Sequence, residues 1–315
     1  MEVVKNIKAY NIIKSSVITI GSYDGIHRGH HEIIRSVVNH SRALNIKSVL
    51  ITFDPHPRHV IEKRNKKISL LMGLDIKLKI LENLGIDVVY IIPFTKNFSK
   101  NSPKNFLEKF VIPYFNPKYI IIGNDHHFGK DRLGTTRFLK KYCAEKDISL
   151  EIIKLISDQG NKISSTHIRD LIRNGFLRRA NFELGSIYGF KGKVIKGSGR
   201  GRKLNFPTAN IIPNEPNQLM PKSGVYFIRA RIIGLITYGM CNFGTRPTFD
   251  EKKFVLEFHL FKNDLDDIYN KEVKVEFLER IRDEIKFPSS EKLILQLKLD
   301  KQKCLKLEAK YNLGV

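Results

Sequence analysis

Four short runs in the first half of the chain carry no charged residue and almost no polar one: Val17–Ile20, Ser48–Phe53, Val88–Ile92 and Tyr119–Ile122. Amphipathic stretches lie between them, through Glu32–Val38, Leu74–Leu84 and Pro103–Phe110. A strand that is apolar on both faces must be covered on both faces, and the intervening stretches have the period of helices. The pattern predicts a parallel sheet sandwiched by helices. Such sheets bind ligands beyond the carboxyl ends of their strands, so the loops after Ile20, Phe53, Ile92 and Ile122 are the ones to inspect.

The character changes near Gly185. Glycines recur at 189, 192, 197, 199 and 201, and short alternating segments follow: Val225–Arg231, Phe254–Leu260 and Val273–Phe277. Closely spaced antiparallel strands predict a small barrel. Two domains are therefore expected, 1–185 and 186–315. The last stretch is ambiguous in period, because Leu293, Leu295, Leu297 and Leu299 alternate like a strand. Its length and its Ser289-Ser290-Glu291 opening favour a helix packed on the barrel.

Three cysteines, Cys143, Cys241 and Cys304, are too far apart for a CxxC pair, which argues against a disulfide framework or a structural zinc. Met1–Asn6 lacks the apolar block of a signal peptide, and no run reaches the ~18 apolar residues of a membrane span. A cytoplasmic protein without a membrane partner is expected. The formal charge of +23 is spread along the chain, with one compact basic run at Lys63–Lys67. Dispersed lysines on solvated faces explain this better than a nucleic-acid footprint, which would interleave aromatics with basic residues on one face.

The chemistry begins at Gly21-Ser22-Tyr23-Asp24-Gly25-Ile26-His27-Arg28-Gly29-His30, directly after the first strand and at a helix entrance. His27 and His30 are three apart, so both rings can face one point at the positive end of the helix, where phosphate is favoured. Glycines let the backbone approach a ligand closely. One histidine here would be read as structural; two at this spacing favour phosphate. Asp54-Pro55-His56-Pro57 is either a rigid turn or a substrate loop after the second strand. Ser164, Ser165 and Thr166 open a helix, as N-caps or as hydroxyls for phosphate together with Arg169 one turn on.

In the second half, Gly197, Gly199 and Gly201 with Arg200 and Arg202 form a Gly-rich loop, by itself a weak signal. Pro207-Thr208-Ala209-Asn210 is stronger. Its hydroxyl and amide, two residues apart on an extended segment, project to one side and can hold Mg²⁺ together with nucleotide phosphates. Glu257 lies on an alternating strand, either as an outward-facing carboxylate or as a general base.

These segments together resemble the bacterial bifunctional riboflavin kinase/FAD synthetases. The GxxDGxHxGH, FDPHP and SSTxIR patterns fall at Gly21–His30, Phe53–Pro57 and Ser164–Arg169. GRxLGFPTAN falls at Gly201–Asn210, with Asn205 for the usual glycine. Gly123–Gly129 resembles the loop that holds FMN and adenine, and Asn242–Phe249 and Arg282-x-Glu284-x-x-Phe287 match kinase segments. The resemblance runs from Val17 to Phe287. It implies a Rossmann-like nucleotidyltransferase domain followed by a six-stranded antiparallel barrel with a C-terminal helix.

The resemblance also implies roles. Gly21, Asp24, Gly25, His27, His30, Ser164, Ser165, Thr166 and Arg169 would bind ATP phosphates. Phe53, Asp54, Pro55, His56, Pro57, Asn124, Asp125 and Phe128 would hold FMN and adenine. Gly197, Gly199, Arg200, Gly201, Arg202, Pro207 and Thr208 would take the kinase ATP, with Thr208 and Asn210 on Mg²⁺ and Glu257 as base. Asn242, Arg282 and Glu284 would contact the flavin. The expected substrates are ATP, riboflavin and FMN, and the final product is FAD. Two other readings stand beside this one. Asn124, His126 and His127 replace the acidic and aromatic residues usual in that loop, which admits a chain that is a riboflavin kinase only. The high positive charge admits a nucleic-acid-binding protein.

Overall fold

The computed structural model describes residues 1–62, 68–154, 156–158, 160–197, 201, 204, 206–247, 252–261 and 268–312. Of the residues singled out above, Gly199, Arg200, Arg202, Asn205, Thr248, Phe249 and the run 63–67 lie outside these. The chain forms two compact units, Met1–Ser69 with Leu74–Ser165, and Leu70–Gly73 with Thr166–Val315.

In the first unit six parallel strands stand in the order β1-β4-β3-β2-β5-β6. They are β1 (Glu2–Val4), β2 (Ser16–Ile20), β3 (Lys47–Asp54), β4 (Val88–Pro93), β5 (Pro117–Gly123) and β6 (Ser149–Ile153). The four predicted runs are the four inner strands, and their side chains are buried on both faces. Helix α1 (Arg28–Ala43) follows β2, and α2 (Pro57–Ile61) and α3 (Leu74–Asn83) both lie between β3 and β4. Next, α4 (Pro103–Phe106) runs through a π-helical stretch, Leu107–Val111, into α5 (Ile112–Phe115), and α6 (Thr136–Glu145) follows β5. The helix expected over 103–110 is thus longer, and its ladder is irregular where Pro113 has no N–H to contribute. β3 lies on one side of β2 and β5 on the other, so the strand order reverses at β2. The loops leaving the carboxyl ends of β2 and β5 diverge there and open a crevice.

From Thr166 the second unit takes in the rest of α7 (Ser165–Arg173) and then α8 (Leu177–Leu184), which ends on Gly185 at φ +69°. By contacts these helices belong with the barrel, although the composition changes only after them. Asn181 on α8 shows why: its amide donates to the Phe277 carbonyl at 3.0 Å and accepts from the Tyr188 N–H at 2.7 Å. The barrel closes in the order β10-β13-β12-β11-β14-β9 with every neighbour antiparallel. Its strands are β9 (Gly189–Ile195), β10 (Ala209–Pro213), β11 (Gly224–Ile232), β12 (Leu235–Pro247), β13 (Lys252–Leu260) and β14 (Glu272–Arg282).

Tyr226, Phe190 and Phe277 fill the interior, while Phe227, Leu278 and Ile281 face outward under the final helix, α9 (Ser290–Asn312). Leu297, Cys304, Leu307 and Tyr311 pack onto that outer patch, a stripe at helical spacing, whereas Leu295 and Leu299 are exposed. The alternating leucines are therefore a helix, as its opening residues indicate. No helix among the described residues is long and apolar enough to cross a membrane.

Candidate active sites

The first site sits at the crevice beside β2. Tyr23 and Gly25 take left-handed backbone angles, φ +47° and +89°, which turn the chain sharply between strand and helix. Gly21 must lack a side chain, because a Cβ there would stand 2.8 Å from the Tyr23 ring. That ring is buried, its hydroxyl is 2.5 Å from Thr19 Oγ1, and burial pushes its pKa up. His27 is the N-cap of α1 but makes no side-chain cap, so its imidazole does not compete with an anion at the positive end of the helix. The His27 and His30 rings stack at 3.7 Å and 18°, with the Tyr23 ring edge-on to His30 at 4.9 Å. Both Nδ1 atoms are buried and have no hydrogen-bond partner among the described residues. The predicted pair thus shares one point at the helix entrance.

The other predicted residues are placed as follows. Ser165, the last residue of the first unit, donates through Oγ to the Asp24 carbonyl of the phosphate loop at 2.8 Å. Ser164 precedes it, partly buried; Thr166 and Arg169 follow on α7 in the second unit, with Arg169 buried. Asn124 and Asp125 are exposed after β5, and Asp125 pairs with Lys162 at 2.7 Å. Phe128 is buried under the His126 ring, at 5.5 Å. Phe53 closes β3 against Phe94 at 5.5 Å, and Asp54 and Pro55 follow it into the loop. His56 then caps α2 by accepting from the Arg58 N–H, with Pro57 at the first helical position. The Asp-Pro-His-Pro segment is therefore both a rigid helix entry and a loop at the carboxyl edge of the sheet.

Sequence reasoning missed Lys77. It is buried on α3, and its ammonium donates to the Ser22 carbonyl at 2.7 Å, beneath the same loop. The legible signal was a lysine on the stripe of Leu74 and Leu81, where a helix normally places apolar residues.

Burial holds His27, His30 and His126 neutral. His27 is pushed down to about 4, opposed by Asp125 and Asp24, and His126 is likewise pushed down to about 4. His30 is driven well below the usual value by burial and then by His27, Lys77 and His31. A histidine lowered on folding favours the unfolded chain once that chain takes up protons. Stability is therefore complete above pH 6.5 and lost as pH falls towards about 4. For His27 alone the shift from 6.5 to about 4 corresponds to about 3 kcal/mol. The melting temperature is expected to drop clearly between about pH 7 and about pH 5; an unchanged melt would contradict the neutral burial of these rings.

The second site lies on the outer face of the barrel. Cross-strand pairing sets Asn210 of β10 beside Glu257 of β13, and Glu257 beside Asn242 of β12. Asn242 in turn pairs with Val225 of β11, and Val225 with Arg282 of β14. Four predicted kinase residues from four strands thus fall on one circumferential row. Thr208 Oγ1 donates to Glu257 Oε1 at 2.5 Å, which leaves the hydroxyl lone pairs available for a cation. Asn210 Oδ1 is buried with no hydrogen-bond partner among the described residues. Gly197 packs against that amide, a Cβ there standing 3.4 Å from Oδ1. Gly201 allows no Cβ, which would meet the Phe206 carbonyl at 2.2 Å and Thr208 Oγ1 at 2.8 Å. His259, also missed from sequence, accompanies Glu257 on β13, and its Nδ1 donates to the Pro207 carbonyl at 2.9 Å. It fixes the segment that carries Thr208 and Asn210.

The remaining two flavin candidates differ in setting. The Glu284 carboxylate lies over Gly244, two residues along β12 from Asn242, where a Cβ would meet it at 1.6 Å. Arg282 is engaged elsewhere, its Nε and Nη2 donating to the buried Asp300 of α9 at 3.0 and 2.7 Å. Asp300→Ala leaves this arginine unpaired, at about 3–5 kcal/mol. The barrel is expected to melt several degrees lower, and an unchanged melt would show that the pair does not hold α9.

A parallel sheet with a histidine pair at a helix N-terminus is the frame of a nucleotidyltransferase, and the barrel with its Thr-Asn-Glu row is the frame of a phosphotransferase. A family model for FAD synthetase matches residues 10–167, and one for riboflavin kinase matches residues 184–307. The bifunctional riboflavin kinase/FMN adenylyltransferase of Bacillus subtilis is 34% identical over 294 residues, covering 92% of each chain. That of Haemophilus influenzae is 34% identical over 293 residues, covering 93% of this chain and 94% of its own. A crystal structure described as a macrolide-efflux protein from Streptococcus pneumoniae superposes with a TM-score of 0.86 at 31% identity, covering 95% of this chain and 97% of that one. The chain belongs to the bifunctional riboflavin kinase/FMN adenylyltransferase family, and both enzymatic domains are present.

Proposed function

We propose that the chain makes FAD in two successive reactions, with the residues of the two sites in the following roles. On the barrel, the riboflavin 5′-hydroxyl attacks the γ-phosphorus of ATP. Glu257 takes the hydroxyl proton, the bond to the β–γ bridging oxygen breaks, and FMN and ADP result. Thr208 and Asn210 would hold Mg²⁺, which neutralises phosphate charge when bound. The unpartnered Asn210 Oδ1 and the Thr208 hydroxyl, whose proton is committed to Glu257, fit a cation that prefers few protein oxygens. Asn242 and Glu284 flank the flavin, and the loop from Gly197 to Pro207 covers ATP.

In the first unit an FMN phosphate oxygen attacks the α-phosphorus of a second ATP, and pyrophosphate leaves. No side-chain nucleophile is needed. The free N–H groups of α1 and the imidazoles of His27 and His30 stabilise the charge that develops. Ser164, Ser165, Thr166 and Arg169 serve phosphate oxygens as their motif implies, and Phe53–Pro57 and Asn124–Phe128 flank FMN and adenine. The single observation that carries this reading is the stacked histidine pair, with two buried unpartnered nitrogens at an uncapped helix end. The unpaired, buried cysteines agree with a cytoplasmic location. The test is to incubate the purified chain with riboflavin, ATP and Mg²⁺ and to separate flavins over time. FMN followed by FAD is expected. FMN that persists would limit the chain to kinase activity, and FAD formed only from supplied FMN would remove the kinase assignment.

A further inference from the structure

We propose that Lys77 is a positioning residue for adenylyl transfer: from the buried face of α3 its ammonium holds the Ser22 carbonyl, and through it the loop that presents His27 and His30 to ATP. The inference rests on the reading of the first unit as the adenylyl-transfer module.

Lys77 is 7% exposed, on the stripe that otherwise carries Leu74 and Leu81. Keeping a cation there is unfavourable relative to an apolar side chain that would fill the same space. The cost is offset by what the ammonium meets. It donates to Ser22 O at 2.7 Å, and Asp24 and Asp54 supply opposing charge from the loops after β2 and β3. Thr52 Oγ1 donates to the same Ser22 carbonyl at 3.2 Å, so β3 and α3 converge on one atom of the phosphate loop. Ser22 precedes Tyr23, whose left-handed φ of +47° sets the loop's exit and whose ring rests edge-on against His30. Displacement of the Ser22 carbonyl is thereby passed to His30 through rigid neighbours.

Lys77 also acts on His30 through space. The groups facing His30 are His27 from the helix entrance, His31 beside it, Tyr23 from the loop, and Lys77 from α3. Burial lowers the Lys77 pKa, opposed by Asp24 and Asp54, and its ammonium supplies the positive charge in that set. Together with burial it keeps the His30 ring neutral until phosphate arrives. In Lys77→Met that repulsion is gone, and His30 protonates at higher pH.

The experiment uses the full-length chain, with the thermal melt reporting on folding and riboflavin phosphorylation, which runs on separate residues, as the unaffected control. Lys77→Met is expected to lower kcat/KM for ATP in FMN adenylylation about 10- to 100-fold, the range for losing a charged buried hydrogen bond. The His30 titration midpoint, followed by NMR with labelled histidine, is expected to move up. Unchanged adenylylation overturns the proposal, and so does a loss of rate with an unmoved His30 midpoint, because a merely structural lysine would behave that way. Should the methionine variant not fold, Lys77→Gln, which keeps a donor for Ser22 and removes only the charge, decides. It is expected to raise the His30 midpoint and reduce adenylylation, and wild-type values for both overturn the role. A wild-type chain that forms FMN but never FAD refutes the adenylylation reading itself; an active wild type with an unaffected variant refutes only the role of Lys77.

Discussion

With Glu257 as the proposed base, Glu257→Gln is expected to lower riboflavin phosphorylation by a factor of about 10²–10⁴, the usual contribution of a positioned general base, and to leave FMN adenylylation by the same chain intact. Glutamine keeps the length and the carbonyl oxygen that accepts from Thr208, now at 2.5 Å from Glu257 Oε1, so the barrel row retains its shape. What it loses is the ability to accept the proton of the flavin 5′-hydroxyl. Asn210 and Asn242, the cross-strand neighbours of Glu257, are amides and cannot substitute as bases. The measurement is paired: FMN formation from riboflavin, and FAD formation from supplied FMN, on one preparation. Kinase turnover that survives in this variant would assign the base elsewhere, and simultaneous loss of both activities would indicate misfolding rather than chemistry.

Much of this was legible in the sequence because the physics was local. The four inner strands announce themselves by being apolar on both faces, and their loops are where the residues converge. A period of two predicts Thr208 and Asn210 on one side of an extended segment, and the Thr208 hydroxyl reaches Glu257, the cross-strand partner of Asn210. The edge strands were not legible. β1 has three residues, and β6 carries Glu151 and is only half-buried, so neither shows the inner-strand signature. The joining of Glu257 to Asn210 was beyond periodicity, since it depends on which strands pair across 47 residues of sequence. The same holds for Arg282, whose bidentate partner Asp300 arrives on a separate helix. Lys77 was missed for another reason: a lysine is ordinarily counted as solvated, and only its place on an apolar stripe marks it as buried.

Replacing His30 by alanine is expected to lower FMN adenylylation by about 10²–10³, the range for removing one donor from a preorganised anion site, with riboflavin phosphorylation unchanged. His27→Ala acts on the same charge and is expected to fall in the same range. The double variant should lose much less than the product of the two, because the stacked rings 3.7 Å apart serve as one unit. The structure also determines how these residues carry charge. Burial keeps both rings neutral in the free enzyme, and His27 takes a proton only near about pH 4. An incoming triphosphate opposes that burial penalty, since each negative oxygen near the rings favours the imidazolium. ATP binding is therefore expected to draw in protons at neutral pH, measurable by calorimetry in buffers of different ionisation enthalpy. His30→Ala should reduce the uptake. Adenylylation that persists at the wild-type rate in both single variants would assign phosphate stabilisation to the α1 N–H groups alone. Proton uptake unchanged in the double variant would show that the histidines stay neutral throughout.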